Sequence, residues 1–289
     1  MALFETVPNI SEGRRSDVID RCVSVMERCG ARVIHRTSDA VHNRSVLTAI
    51  GSYEQLSDAA LALARQTTEH IDLRAHAGVH PRIGALDVLP FVPLGAATME
   101  RAVELARECA RRIWSELSIP SFLYGEASST ALRRNLASIR SGGFEGLDAR
   151  FERPEWTPDF GDPRAHVTAG AVAVGARALL IAFNVELATG DLEIARAIAR
   201  AIRERSGGLG TLRALGLRLS ENVVQVSLNV TDYAATPLYR VVELIRGLAA
   251  LRGVAILRSE LIGCLPAAAV SASARYYLGL APDAEGDED

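Results

Sequence analysis

A chain of 289 residues, 48% hydrophobic, is long enough for two modest cores rather than one. Its formal net charge of −3 is too near neutral for a binder of nucleic acid or of a membrane surface, which needs an excess of basic groups. The basic charge is all arginine, with no lysine; Schiff-base chemistry is excluded, and anion recognition falls to Arg forks, His, backbone N–H groups and helix ends.

In chain order, residues 2–9 (ALFETVPN) predict a strand. Residues 16–29 place Val18, Ile19, Cys22, Val23, Met26 and Cys29 on one helical face, with Gly30 as the stop. Residues 31–39 and 45–51 predict two strands. Ser52 and Gln55 form a capping box for a helix reaching about Ile71. Residues 85–93 (ALDVLPFVP) are strand-like but interrupted by proline, so an edge strand or strand end is expected. Thr98 caps a long helix to Leu117, and residues 121–124 (SFLY) predict a short strand. Residues 125–170, rich in Gly, Pro, Arg and Ser, are expected to be irregular, with one short helix over 131–139.

The second half is cleaner. Residues 178–187 (ALLIAFNVEL) have the continuous apolar character of a central strand. Asp191 starts a helix with Ile194, Ile198 and Ile202 on one face, and Gly207, Gly208 and Gly210 make a loop. Residues 213–219 and 223–232 predict strands. Thr236 and Pro237 are an N-cap and first-turn pair for a helix closing at Gly253. A strand over 254–261 and a helix from Pro266 to Leu278 complete the order β-α-β-β-α-β, with which the first half also begins. The expected fold is therefore α+β: two ferredoxin-like sandwich subdomains, residues 1–175 and 176–281, with an acidic, disordered tail at 282–289.

Cys22, Cys29, Cys109 and Cys264 form no CxxC pair or disulfide framework, and no apolar run reaches membrane-spanning length. The N-terminus has no signal-peptide pattern. A cytoplasmic protein without a metal is expected.

Five segments could carry chemistry. The first is HAGVHPRIGALD, where His76 and His80 flank a glycine ahead of Pro81, Arg82 and Gly84. Imidazole titrates near neutral pH, so a histidine on such a shaped loop suits general acid/base work. A surface histidine that only hydrogen-bonds gives the same pattern. The four-residue His spacing suits a metal on a helix, but Gly78 and Pro81 oppose a helix and no third ligand is evident. The second segment, DAVHNRSV, holds His42, Asn43 and Arg44 between two strands; it is an ordinary hairpin turn or an Arg fork beside the His80 loop. The third, VPNISEGR, offers backbone N–H groups at a helix start to an anion, or is a plain capping sequence. The fourth runs from WTPDFGD through HVTAGAVAVGAR to Arg177, with glycines that allow close approach of a ligand. The fifth, SGGLGTLRALG, is a second glycine loop or a flexible connection.

Together, VPNISEGR, HNRSVLTAIG, HPRIGALDVLPFVP, LYGEAS, WTPDFG, GARALLIAFNVEL and QVSLNVTDY resemble glutamate formiminotransferase, the transferase half of formiminotransferase–cyclodeaminase, which also exists as a stand-alone bacterial enzyme. The segments follow the family's order over nearly all of residues 4–280, and no cyclodeaminase portion is present. The resemblance implies two ferredoxin-like subdomains, a homodimer, and transfer of a formimino group from N-formimino-L-glutamate to N5 of tetrahydrofolate, a co-substrate, in histidine degradation. It implies that His80 is the catalytic histidine. Arg44, Arg82 and Arg177, with Asn43 and His42, are the candidate contacts to the donor's carboxylates. The family's folate-contacting stretches fall on Gly161, Asp162, Pro163, Arg164, Ala165, His166, Val167, Thr168, Ala169 and Gly170, and on Gly207, Gly208, Leu209, Gly210, Thr211, Leu212, Arg213, Ala214, Leu215 and Gly216. Two positions depart from the family pattern: Val79 stands where an acidic residue precedes the catalytic histidine, and Val41 precedes His42. Loss of nearby carboxylates lowers an imidazole's pKa and leaves its tautomer less fixed. That leaves two other expectations open: a folate-dependent transferase using another formimino or formyl donor, and a folate-binding relative without turnover.

Overall fold

The structure, a computed structural model, describes residues 2–78 and 81–280. The predicted acidic tail, 282–289, lies outside the described residues. The chain divides into two compact units after Ala178.

In the first unit the elements are β1 (Leu3–Thr6), β2 (Asn9–Ile10), α1 (Ser16–Arg28), β3 (Arg32–Asp39), β4 (Arg44–Gly51), α2 (Tyr53–His70), β5 (Leu86–Leu94), α3 (Met99–Leu117), β6 (Ser121–Gly125), α4 (Leu136–Arg140), α5 (Leu147–Phe151) and β7 (Val172–Ala176). β4 lies between β3 on one side and β1 and β2 on the other; β5 follows, then β7 and β6. The pairings of β3, β4, β1, β2 and β5 are antiparallel, in the spatial order of a βαββαβ unit, while β5–β7 and β7–β6 are parallel. The predicted strand over 2–9 is two short strands broken at Val7 and Pro8.

β5 corrects a sequence expectation. It is a central strand, buried over its first seven residues, rather than an edge. Pro90 fits because β1 pairs with β5 from Phe91 onward and β2 pairs with Leu86 and Val88, so Pro90 faces the interruption between them. No backbone donor is needed there, and the Thr6 hydroxyl donates to the Pro90 carbonyl at 2.8 Å.

Both faces of β5 are covered, which is why it is apolar throughout. On one face α1, α2 and α3 pack Met26, Leu56, Leu63 and Leu105 against Phe4, Leu47, Leu89 and Phe91. The capping box of Ser52 and Gln55 and the Thr98 cap set the starts of α2 and α3. The other face carries a second cluster, Val88, Phe122, Tyr124, Ile139, Leu147, Phe151 and Trp156. Residues 125–170 are therefore short helical turns over their own core, with Phe122 stacked on Phe151 at 5.8 Å and edge-on to Trp156 at 6.2 Å. Each large apolar side chain buried this way contributes about 1.5–3 kcal/mol. The predicted helix over 131–139 is a 3₁₀ turn, Ala131–Arg133, followed by α4. β7 has no counterpart among the predicted strands, because its small residues read as part of a glycine segment.

The second unit contains β8 (Ile181–Leu187), α6 (Leu192–Ile202), β9 (Leu212–Arg218), β10 (Val224–Val230), α7 (Leu238–Ala250), β11 (Ile256–Ile262) and α8 (Ala267–Leu278). Its sheet order, β11-β8-β10-β9, is antiparallel throughout and is again that of a βαββαβ sandwich. Ile198, Ile202, Val241 and Ile245 close its core over Val185, Val226 and Leu228. Pro237, not Thr236, is the N-cap of α7; the Thr236 hydroxyl instead accepts from Thr211 Oγ1 at 2.7 Å. Among the described residues no helix is long and apolar enough to cross a membrane.

Candidate functional site

The polar side chains of the first unit converge where the ends of β2, β4 and β5 meet the loop after α2. His80 and Val79 lie outside the described residues, but the chain on both sides of them is fixed. On the N-terminal side, His76 Nε2 stands 2.9 Å from the Asn43 carbonyl, and Asn43 Nδ2 donates to the Ala77 carbonyl at 3.1 Å. Asn43 Oδ1 accepts from Gly13 N at 3.0 Å, which ties the end of β2 into the same knot. Gly78 is required by close approach: a Cβ there would lie 2.3 Å from the His42 carbonyl oxygen. On the C-terminal side, Arg82 donates from Nε to His76 Nδ1 at 3.0 Å and from Nη2 to the His76 carbonyl at 3.2 Å. Glu145 holds the same guanidinium through both carboxylate oxygens, at 3.0 and 2.7 Å.

These bonds settle the state of His76. An arginine N–H can only donate, so His76 Nδ1 carries no proton and Nε2–H donates to Asn43. Burial holds the His76 pKa below its ordinary value; the Asn43 carbonyl opposes the shift and Arg82 adds to it. With both ring nitrogens engaged, His76 has no lone pair for a metal. Among the described residues no group of three metal-ligating side chains forms.

Asp87, 1% exposed, secures the other end of the loop. Oδ1 accepts from the Ile83 and Gly84 amides at 2.7 and 3.3 Å, and Oδ2 takes Nε and Nη2 of Arg140 at 2.9 and 2.5 Å. Arg44 is close by. Burial pushes its guanidinium down to about 10, with Arg140 adding to the shift and Asp87 and Asp39 opposing it. It remains charged at neutral pH. Arg44 and Arg140 thus lie within electrostatic reach of Asp87, and Asp39 also acts on Arg44. Ser11, His42, Asn43, Arg44, His76, Arg82 and Asp87 line one narrow depression here, with no room for a water-sized molecule.

His42 sits at the tip between β3 and β4. Its Nδ1 is 2.8 Å from Asp39 Oδ2, while Asp39 Oδ1 accepts the Val41 and His42 amides at 2.8 Å. A carboxylate thus reaches His42 although Val41 precedes it. Burial alone would raise the Asp39 pKa, but bonds from His42 and Val41 hold it below the usual range.

The helix start at residues 12–15 is not open to an external anion. The chain's own Glu12 fills it, accepting the Arg14 and Arg15 amides at 2.8 and 2.9 Å. The Arg177 amide donates to Phe91 O at 3.1 Å, and its side chain hydrogen-bonds Tyr124.

Residues 161–170 end in a turn closed by reciprocal bonds between His166 and Gly170, each 2.9 Å. The turn is bonded to the His80 loop, with Leu73 N to Thr168 O at 2.9 Å, Ala85 N to Ala169 O at 3.0 Å and Ala171 N to Ile83 O at 2.9 Å. His166 Nδ1 accepts the Ala169 amide at 3.0 Å, which puts the proton of the neutral ring on Nε2, and burial lowers its pKa. The glycines here make room for protein atoms: a Cβ on Gly161 would meet the Trp114 ring at 2.8 Å, and one on Gly175 the Tyr124 ring at 2.5 Å. In the second unit, a Cβ on Gly207 or Gly210 would have no atom within 4 Å, whereas Gly208 and Gly216 pack against backbone. A wider groove in that unit, between α7 and β11 and lined by residues such as Val242, Arg246 and Leu257, holds none of the predicted site residues.

Among known families, residues 3–177 match the formiminotransferase domain, N-terminal subdomain, and residues 182–284 match the formiminotransferase domain. The chain belongs to the formiminotransferase family. It is similar to the glutamate formimidoyltransferase of Streptococcus pyogenes serotype M1, 42% identical over 278 residues, covering 96% of this chain and 93% of the relative. The protein of the same name from Thermoplasma acidophilum is 43% identical over 291 residues, covering 99% and 96%. The formimidoyltransferase-cyclodeaminase of Gallus gallus is 39% identical and covers 96% of this chain, which spans 52% of that longer protein. As a member of this family the chain is an enzyme, a transferase. Sequence reasoning missed Asp87, Arg140 and Glu145. Arg140 lies 53 residues from Asp87, and Glu145 lies 63 from Arg82, so no local spacing signals either pair.

Proposed function

We propose that the chain is a glutamate formiminotransferase that moves the formimino group from N-formimino-L-glutamate to N5 of tetrahydrofolate, with His80 as general acid/base. The observation that carries this reading is the convergence on one loop: the chain on both sides of His80 is bonded to Asn43, Arg82 and Asp87, and the 166–170 turn is bonded to the same loop. The names of the bacterial and archaeal relatives, over nearly the whole chain, support a formimidoyl transfer involving glutamate.

N5 attacks the formimino carbon, forming an N5–C bond. His80 takes the N5 proton and returns it to the glutamate nitrogen as the C–N bond to glutamate breaks, leaving glutamate as product. Proton transfer of this kind contributes about 10²–10⁴-fold; most of the rest comes from holding both substrates in line. The donor carries two carboxylates, and Arg44, the arginine of the HNR motif, is the first candidate contact for one of them. Arg177 and His42 are further candidates. Arg82 spends most of its donors on His76 and Glu145, so its part in substrate binding is limited to a remaining Nη1 hydrogen. In the first unit the candidate folate contacts are residues 161–170, where His166 Nε2–H is a donor; in the second unit, taken by itself, they are residues 207–216, where Gly207 and Gly210 leave open space.

The test is a turnover assay with N-formimino-L-glutamate and tetrahydrofolate, following 5-formiminotetrahydrofolate. Formation of that product with release of glutamate is expected. Folate binding without consumption of formiminoglutamate would overturn the reading.

A further inference from the structure

We infer that His76 is a positioning residue, a neutral staple that joins the chain just before His80 to the chain just after it and ties both to Asn43. The inference rests on the reading of His80 given above. His76 and Arg82 are six residues apart, one before and one after His80. Two bonds join them directly: Arg82 Nε to the ring Nδ1, and Arg82 Nη2 to the His76 carbonyl. The opposite ring nitrogen donates to Asn43, whose side chain holds Ala77 and Gly13. One imidazole thus links the loop's beginning, its end and the β2–β4 scaffold. Only a side chain that accepts on one edge and donates on the other can do this, which is the neutral Nε2–H tautomer. Glu145 pins Arg82 from the far side; it is 65% exposed, so its own contribution is screened.

The arrangement also separates the two histidines by role. His76 has no nitrogen left for a substrate proton, and its bond from Arg82 is lost if it protonates. The charged groups around it are Arg82, Glu12 and Arg14, with Glu145 coupled to it in turn.

Three variants test this in the intact chain. His76→Ala removes the staple. Because misplacing a catalytic group by about 1 Å costs ~10²-fold, kcat should fall by roughly 10- to 100-fold while KM for folate stays within about threefold. His76→Gln keeps an acceptor and a donor and should recover most of kcat with the pH limbs of kcat/KM unmoved. Arg82→Gln cuts the same staple from the other end and should reproduce the His76→Ala loss, which covers the case in which His76→Ala fails to fold. Nitrogen-15 shifts of the wild-type imidazole should report Nε2–H at neutral pH. Wild-type kcat in His76→Ala, a protonated or Nδ1–H ring, or His76→Gln as inactive as His76→Ala with a pH limb lost would each overturn the proposal. Full activity of His80→Ala would instead overturn the reading of His80, so the two failures are distinguishable.

Discussion

Asp87, buried, and Arg140, largely buried, form an ion pair after His80: one carboxylate oxygen takes Nε and Nη2 of Arg140, and the other takes the Ile83 and Gly84 amides. Asp87→Asn keeps an oxygen for the amides but turns an NH₂ toward the guanidinium, leaving Arg140 uncompensated beside Arg44. Breaking a buried pair from one side costs about 3–5 kcal/mol. Urea unfolding should therefore show a loss of about 3 kcal/mol, partly recovered in Asp87→Asn/Arg140→Met. A loss under ~1 kcal/mol would mean that the pair is replaceable by solvent.

Arg44→Lys separates the clamp from the scaffold. Lysine keeps the charge but loses the planar fork, so KM for the dicarboxylate donor should rise by about tenfold, a change worth ~1.4 kcal/mol. KM for tetrahydrofolate should not move. Equal changes in both, measured by initial rates, would place Arg44 outside the donor's contacts.

Stability should depend on pH in a window set by histidines. His76 and His166 both have folded pKa values held below the ordinary 6.5. Between the folded and unfolded pKa values the unfolded chain binds more protons, so stability rises with pH there. The contribution is complete above about 6.5 and is lost as pH falls below it. Glu12 and Asp39 are held below their ordinary 4.5 and 3.8, so their contributions are lost only at more acid pH. Thermal melts between pH 8 and 5 should show Tm declining below about 6.5, with a shallower decline in His76→Gln. An identical slope in the two proteins would contradict the neutral state of His76.

Gly170→Ala tests the link between the 166–170 turn and the loop. Gly170 has φ +69°, and a Cβ there would stand 2.0 Å from the Ile83 carbonyl oxygen. Strain in the left-handed region costs of order 1–3 kcal/mol before that clash is counted, so a loss of at least about 2 kcal/mol by urea unfolding is expected. Gly207→Ala, with φ +86° but no atom within 4 Å, is the control and should lose only about 1 kcal/mol.

Much of the fold was legible because its elements keep strict periods. α1, α2 and α6 show apolar faces at helical spacing, and the strands of the second unit alternate or run apolar as expected. Proline misled the reading of β5, because only the partner strands show that Pro90 falls at a break between β1 and β2. The 125–170 segment reads as irregular with one short helix, because the short turns that pack Ile139, Leu147, Phe151 and Trp156 onto Phe122 leave no periodic pattern. Of the candidate site, the sequence marks the residues of the contiguous motifs HNR and HPR, while Asp87, further along the second motif, reads as part of an apolar strand. Arg140 and Glu145 reach those motifs only through the fold.

Proton movement by His80 is the step on which the proposed reaction turns. It is tested most directly by a single-turnover rate with His80→Ala at saturating N-formimino-L-glutamate and tetrahydrofolate. Formimino transfer should be slowed by at least about 100-fold, with folate affinity within a few-fold of wild type. Transfer at or near the wild-type rate would contradict a proton-transfer role for His80.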